Sequence, residues 1–316
     1  MPVPGVPTLT QHGVTIRSHP DAATFLAASE SFRAQEPVLT NIIGSVALGV
    51  VQGRRYEREL WVTLHSDDDR TVGIAMRTAP WNLAVSPMDD ASARALGAFV
   101  AAEDPGLPGV TGPRAVVDVV LEGLASSRSP RTVMADVARV LQDFTAPEPV
   151  EGIARRALAD DRGVIIDWHG RFAAEVGLPA HAVDESVDAG LAAGSFWLWT
   201  LAGTDVALAG HQLPVQTPSG RVARIGPVYT PPPFRGRGFG TAVTAHVAAY
   251  LREEGCTVML FADASNERTN GIYQRLGFQA RAEIVEVELV EAGRRDRPAG
   301  PVVVTGRRSA RSAARD

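Results

Sequence analysis

The feature that most restricts how this chain can fold is a strand running through a glycine-rich basic turn straight into a helix. Val222 to Thr230 alternates as a β-strand should, and Pro231-Pro232-Pro233 stops it. The turn Arg235-Gly236-Arg237-Gly238-Phe239-Gly240 follows. Beyond it, Val243, Val247, Tyr250 and Leu251 fall at i, i+4, i+7 and i+8 on one helical face, and Gly255 sits where a helix-ending glycine belongs.

That order has a chemical use. The first N–H groups of a helix have no partner within it, and the backbone dipole makes that end positive. Glycine lets the main chain approach an anion closely, so a diphosphate is the natural guest of such a turn. The plain alternative is an ordinary glycine-rich βα turn. Two other phosphate loops do not fit. A P-loop needs Gly-Lys-Ser/Thr, and the chain contains no lysine; nor does the spacing match the GxGxxG of a dinucleotide fold.

The spacing Arg235-x-x-Gly238-x-Gly240, preceded by Val228-Tyr229-Thr230-Pro231, resembles the acyl-CoA-binding motif of the GNAT acetyltransferase superfamily. A second stretch is similar to that family too. It comprises Leu260-Phe261-Ala262-Asp263, Asn266, Thr269-Asn270 and Ile272-Tyr273-Gln274-Arg275-Leu276-Gly277-Phe278. The resemblance covers residues 131–290. It implies the GNAT-like acyl-CoA N-acyltransferase fold, an α/β (α+β) mixed sheet, with acetyl-CoA as co-substrate and no metal. It also implies that Val228, Tyr229, Thr230, Arg235, Gly236, Arg237, Gly238, Phe239, Gly240, Thr241, Asn266, Asn270 and Tyr273 line the cofactor site. In that family's chemistry the Val228 N–H polarises the thioester carbonyl and Tyr273 protonates the departing thiolate. The competing reading of Tyr273 is a core tyrosine beside Ile272 and Leu276. Asn266 and Asn270 either bind cofactor or fix the strand–helix turn, and a cap alone is the alternative for Asn270. For a general base the sequence offers His211, near the end of a hairpin strand, and behind it His246. Some members of the family deprotonate through water.

Composition bounds the rest. A chain of 316 residues has room for two ordinary domains. Net charge −5 and pI near 5.8 give no global attraction to nucleic acid or anionic membrane. All basic side chains are arginine, so an acetyltransferase of this composition has no internal lysine to modify. The lone Cys256 permits no intramolecular disulfide, which suits a reducing cytosol, and its place at the start of an apolar strand reads as packing rather than nucleophile. The N-terminal MPVPGVPTLTQHG lacks the basic and apolar regions of a signal peptide, and the longest apolar run, Asn41 to Val51, is too short to span a bilayer. A cytoplasmic protein is expected.

Taken in order, residues 1–20 read as a flexible N-terminus. Helices are expected at Asp21–Phe32 and Pro37–Val51, a hairpin at Leu60–Leu64 and Val72–Met76, and a third strand at Trp81–Val85. Asp67 to Asp69 on the hairpin tip read as solvated carboxylates rather than a metal site. A helix at Ala91–Ala102, a short strand at Gly109–Thr111 and a helix at Pro113–Leu124 complete a first unit, 21–128. After the polar boundary Ser126 to Pro130, the second unit, 131–290, opens with Val133 to Phe144. Its periodicity fits helix or strand, and the resemblance, which needs a first strand there, decides for strand. Ile153–Ala159, Val164–Val176 and Val187–Ala192 read as helices. The strands Phe196–Leu201 and Val206–Leu213 follow, then the central motif, the strand Thr257–Ala262, the tyrosine helix and a closing strand Glu283–Val290. Residues 291–316 read as a disordered basic tail.

The first unit repeats the outline of the second. At the position of the basic glycine turn it carries Ser86-Pro87-Met88-Asp89-Asp90-Ala91, and it has no counterpart of Tyr273. Carboxylates there repel a diphosphate, so the expectation is two tandem copies of one fold, the first a degenerate, non-catalytic copy. The function expected is transfer of an acetyl group to a small-molecule or protein amine. The alternatives are a non-catalytic acyl-CoA sensor and a mycothiol synthase-like tandem enzyme. The acceptor, the acyl-chain preference and the oligomeric state are not legible in the sequence.

Overall fold

The computed structural model describes residues 8–11, 13–176 and 183–291. The expected basic tail and the first seven residues lie outside them. Strands β1 (Thr8–Gln11) and β2 (Val14–His19) pair as a hairpin, so part of the stretch expected to be flexible forms a sheet edge. Val14 and Ile16 are buried in the first core, which explains the order. Helix α1 (Ala22–Ala28) is capped by Asp21, whose Oδ1 accepts from Thr24 N–H at 2.7 Å. The expected single helix breaks at Ser29 into α2 (Glu30–Gln35), and α3 (Asn41–Val51) follows. Next come β3 (Glu59–His65), β4 (Thr71–Thr78), β5 (Leu83–Val85), α4 (Asp90–Glu103), β6 (Gly109–Pro113) and α5 (Arg114–Leu124).

The first round ends with the long strand β7 (Ser129–Leu141). Ile153 to Ala159, expected as a helix, is instead β8 (Ile153–Arg156) followed by a short 3₁₀ turn. Its Ala, Arg and Leu are good helix formers, but pairing with the next strand (Ala154 opposite Trp199) overrides that preference. Then come α6 (Arg162–Glu175), α7 (Val183–Ala192), β9 (Phe196–Leu201), β10 (Thr204–His211) and a short β11 (Val215–Thr217) that the sequence reading did not include. The chain closes with β12 (Gly220–Tyr229), α8 (Phe239–Glu253), β13 (Cys256–Asp263), α9 (Glu267–Arg275) and β14 (Phe278–Val290).

These strands form one 14-stranded mixed sheet, in the order β1-β2-β3-β4-β5-β6-β14-β7-β13-β12-β10-β9-β8, with β11 on β12. The centre holds an exchange. The last strand of the second round, β14, lies beside β6 of the first (Val287 opposite Val110). The last strand of the first round, β7, lies beside β13 of the second (Phe261 opposite Ala138). The two exchanged strands pair with each other along almost their whole length. Thus Val133 to Phe144, expected to open the second unit, is mostly strand, but it is central; the opening strand at the second unit's outer edge is β8.

One face of the sheet is covered by α4 and α5 over the first half, and by α8 and α9 over the second. α4 and α5 approach until a Cβ on Gly97 would fall 2.3 Å from the Val120 carbonyl, which only glycine allows. The opposite face carries α1 and α3 at one end and α6 and α7 at the other. Between them, Val38 and Leu39 of the first half pack on Val140, Val222 and Met259 of the second. No helix among the described residues is long and apolar enough to cross a membrane.

Candidate active site

Strands β12 and β13 run parallel and pair from Arg221–Cys256 to Ile225–Leu260; pairing then stops, although β12 continues to Tyr229 and β13 to Asp263. The strands part there. On the other side of β12, the register against β10 shifts between Ala209 and His211, a bulge beside Pro227, which has no N–H for a ladder bond. Val228 and Tyr229 remain paired with β10 while their β13 side is open. The chain leaves this wedge through Thr230 and Pro231 into the basic turn.

That turn is built to leave amides free. Gly238 is the N-cap of α8 at φ +85°, a left-handed conformation that costs an L-residue about 1–2 kcal/mol. It has no side chain to cap the helix, and the first intrahelical bond runs from Ala242 N–H to Gly238 O at 2.9 Å. Phe239 anchors the start of α8 by burying its ring, whereas Arg235 to Gly238 are exposed. A Cβ on Gly238 would meet Val150 Cγ1 at 2.9 Å, and one on Gly240 would meet Thr230 Oγ1 at 2.9 Å. Thr241, in the first turn of α8, is half-buried.

The two guanidiniums of the turn are used differently. Arg235 donates from Nε to the Thr230 carbonyl at 2.8 Å and from Nη2 to both oxygens of Glu175, at 2.6 and 2.8 Å. It also lies over the Tyr229 ring, 5.6 Å from its centre. Arg235 therefore braces the loop against α6. Arg237 stands over the Phe239 ring at 4.8 Å, and Arg268 of α9 approaches Gly236, its Nη2 3.6 Å from where a Cβ would be. Arg268 adds a cation beside the turn that sequence reading did not single out.

Asn266 is the N-cap of α9, its Oδ1 accepting from Thr269 N–H at 3.0 Å. Asn270 donates to the carbonyls of Asp263 at 2.7 Å and Asn266 at 3.0 Å, and accepts from Arg139 Nε at 3.0 Å. Asn266 is thus the cap, and Asn270 clasps the end of β13 to α9 and β7. Tyr273 is buried against Phe278, ring centres 5.9 Å apart, and burial pushes its phenol up to about 12. The hydroxyl stays protonated throughout the neutral range, as a proton donor must.

Neither histidine stands on the open face. His211 is buried on the α8 side, 6.3 Å from the Tyr250 ring, and its Nδ1 donates to the Gln212 carbonyl at 3.1 Å. Burial pushes its pKa down, with Arg156 acting in the same direction. His246 packs on Trp197 at 4.6 Å, also with its pKa lowered by burial. Cys256 is buried and its thiol is pushed up by burial, as a packing residue should be.

The face opposite α8 and α9 carries groups that the sequence reading passed over. On adjacent strands, Asp136 of β7 is directly opposite Asp263 of β13. Burial, the Asp263 charge and then the Glu286 charge raise Asp136 to about 6. Glu286 accepts from Asn82 Nδ2 at 2.7 Å. The one carboxylate in a mostly apolar strand, VMADVARV, was the available signal.

In the first half, the matching place is closed. Beyond Leu83–Val110 and Ala84–Thr111, β5 stays against β6: a Cβ on Gly112 would fall 2.6 Å from the Val85 carbonyl. A cavity of about 20 Å³ lies beside them, lined in part by Ile42, Thr111 and Phe261. Asp89 caps α4 by accepting from Ser92 N–H at 2.8 Å, so the helix start is occupied by its own carboxylate.

Residues 216–287 match the family described as FR47-like protein. Over 79 residues the chain is 38% identical to a mycothiol acetyltransferase of Kocuria rhizophila. That match spans 24% of this chain and 26% of the relative, so the chain covers about a quarter of the curated relatives it matches. Among solved structures, a GNAT-family acetyltransferase from Colwellia psychrerythraea superposes with TM-score 0.56 at 11% identity, over 90% of this chain and 99% of that one. A GCN5-related N-acetyltransferase from Sphaerobacter thermophilus gives 0.55 at 18% identity, over 89% and 96%.

The chain has the fold of the GNAT acetyltransferases, and its residues 216–287 match the FR47-like family. The coverage by these solved structures includes both halves, so the GNAT fold extends beyond the stretch 131–290 that carries the motifs. The parted β12 and β13, the uncapped start of α8 and the buried Tyr273 all lie in the second half, and Tyr273 shares a core with Ala223, Ile225 and Phe239.

Proposed function

We propose that the protein is an acetyl-CoA-dependent N-acetyltransferase with a single active site at the β12–β13 wedge. The observation that carries this reading is the direct continuation of the opened strand edge of β12 into the uncapped, glycine-started α8. A thioester arm fits the first as an added strand partner, and a diphosphate fits the second. When bound, acetyl-CoA supplies the activated acyl group. The chain supplies the rest. Main-chain groups of Val228 and Thr230 orient the arm, with the Val228 N–H aimed at the thioester carbonyl. The free amides of Phe239 to Thr241, with Arg237 and Arg268, hold the diphosphate. Tyr273 delivers a proton to the thiolate on the α9 side. On the opposite face Asp136, poised near neutral pH by Asp263 and Glu286, takes the proton from the incoming ammonium.

A narrower reading borrows the acceptor of the curated relatives, which are named mycothiol acetyltransferases. The 79 matched residues cannot contain both Val38 and Arg235, so this likeness leaves out part of the cleft wall. Thiol release from acetyl-CoA across a panel of amines tests the enzyme reading. Turnover with at least one amine, reduced at least about tenfold in Tyr273→Phe with CoA affinity retained, is expected. CoA binding without turnover on any amine would replace this reading with that of an acyl-CoA sensor.

A further inference from the structure

The face of the wedge away from α8 holds one more charged group. Arg224 is on β12, level with Met259 of β13, on the same face as Val222 and two residues before Gly226, where the strands begin to part. Its guanidinium lies over the Phe261 ring, 5.8 Å from the centre. Val38 and Leu39 wall the neighbouring surface from the first half. No carboxylate among the described residues forms an ion pair with Arg224, whereas Arg235, Arg155 and Arg114 each hold one. Burial is the sole cause that lowers its pKa, to about 10, so it remains a cation at neutral pH without compensation.

A strand position that is read by solvent needs no charge, and one packed in a core tolerates none without a partner. A half-buried guanidinium with no carboxylate partner, stacked on an aromatic ring beside an opening, can receive a carboxylate or phosphate. Two residues along a strand separate points by roughly 6–7 Å. An anion on Arg224 would therefore leave a short molecule's amine at the level of Gly226, beside the open edge of β12. We propose that Arg224 is the anion-recognition residue of the acceptor cleft, and that the acceptor is a small amine which also carries a carboxylate or phosphate. This rests on the acetyl-transfer reading above for the word acceptor, but not for the anion site itself.

The test compares matched amines with the full-length protein: glycine against glycinamide, β-alanine against its amide, and O-phosphoethanolamine against ethanolamine. Wild type is expected to favour the anionic member by about tenfold or more in kcat/KM. Arg224→Met, which keeps the apolar stem, should lose that preference through KM, and Arg224→Lys should restore part of it. The carboxylate and phosphate pairs separate the two anion sources. Equal use of an acid and its amide by wild type would overturn the proposal without any variant. If no amine turns over, calorimetric titration of the same acids into CoA-loaded protein decides. Binding seen in wild type and lost in Arg224→Met keeps the anion site while the enzyme reading fails. Absence of binding by every acid in wild type overturns the proposal.

Discussion

Asp136 sits in the fold at a cost that its proposed role as base would explain. Its pKa is raised from the ordinary carboxylate value to about 6 by burial and by Asp263 and Glu286, so its charged form is the disfavoured one. A group with a raised folded pKa stabilises below its unfolded pKa and loses that contribution as pH rises through the folded value. Asp136→Asn should therefore unfold later than wild type at about pH 8, by about 1–2 kcal/mol after allowance for partial exposure, with the gap closing near pH 4. In the same variant kcat/KM should fall at least tenfold, and in wild type the rate should decline as pH drops below about 6. A variant of unchanged activity would make Asp136 a strained bystander. Tyr273→Phe belongs beside it: kcat is expected to fall while CoA binding persists, because the proposed proton path ends at this phenol. Tyr273 was visible in the sequence as part of a spaced motif. Asp136 was not, because its meaning comes from Asp263 and Glu286, which are far away along the chain and become neighbours only when β13 and β14 flank β7. His211, a candidate base on sequence grounds, is buried on the α8 side of the sheet beside Tyr250.

At the scale of elements, the strand–turn–helix β12–α8 was the most legible part of the chain. Its period changes from two to nearly four across a turn in which Gly236 and Gly238 take φ of 79° and 85°. What the letters did not contain was the destination of Arg235, whose ion pair with Glu175 depends on α6 docking beside β12. Ile153 to Arg156 failed for a related reason: an edge strand is decided by its partner, β9, more than by its own residues. Gly238→Val tests the turn. Valine is strained at that φ and would press on Val150, so CoA-induced thermal stabilisation should vanish while apo stability falls by no more than about 2 kcal/mol. Full stabilisation by CoA in that variant would mean the diphosphate binds elsewhere.

The whole molecule is one sheet whose halves complete each other. β14 closes the first half's sheet and β7 closes the second's, so neither half can leave without exposing a long edge of unpaired backbone. The full chain should therefore unfold in a single cooperative transition by calorimetry; two resolved transitions would show that the halves are independent. A repeated outline was readable in the sequence, but the exchange was not, because it leaves hydrophobic periodicity unchanged and alters only which strand is next to which. Among the described residues the β5–β6 pair is closed and Asp89 caps α4, so the proposed account has one cofactor site, at the β12–β13 wedge. Isothermal titration of acetyl-CoA into the full-length chain, run beside Gly238→Val, tests that directly. One equivalent per chain in wild type and none in the variant is the predicted result. Two equivalents, none in wild type, or the same single equivalent in both proteins would contradict it.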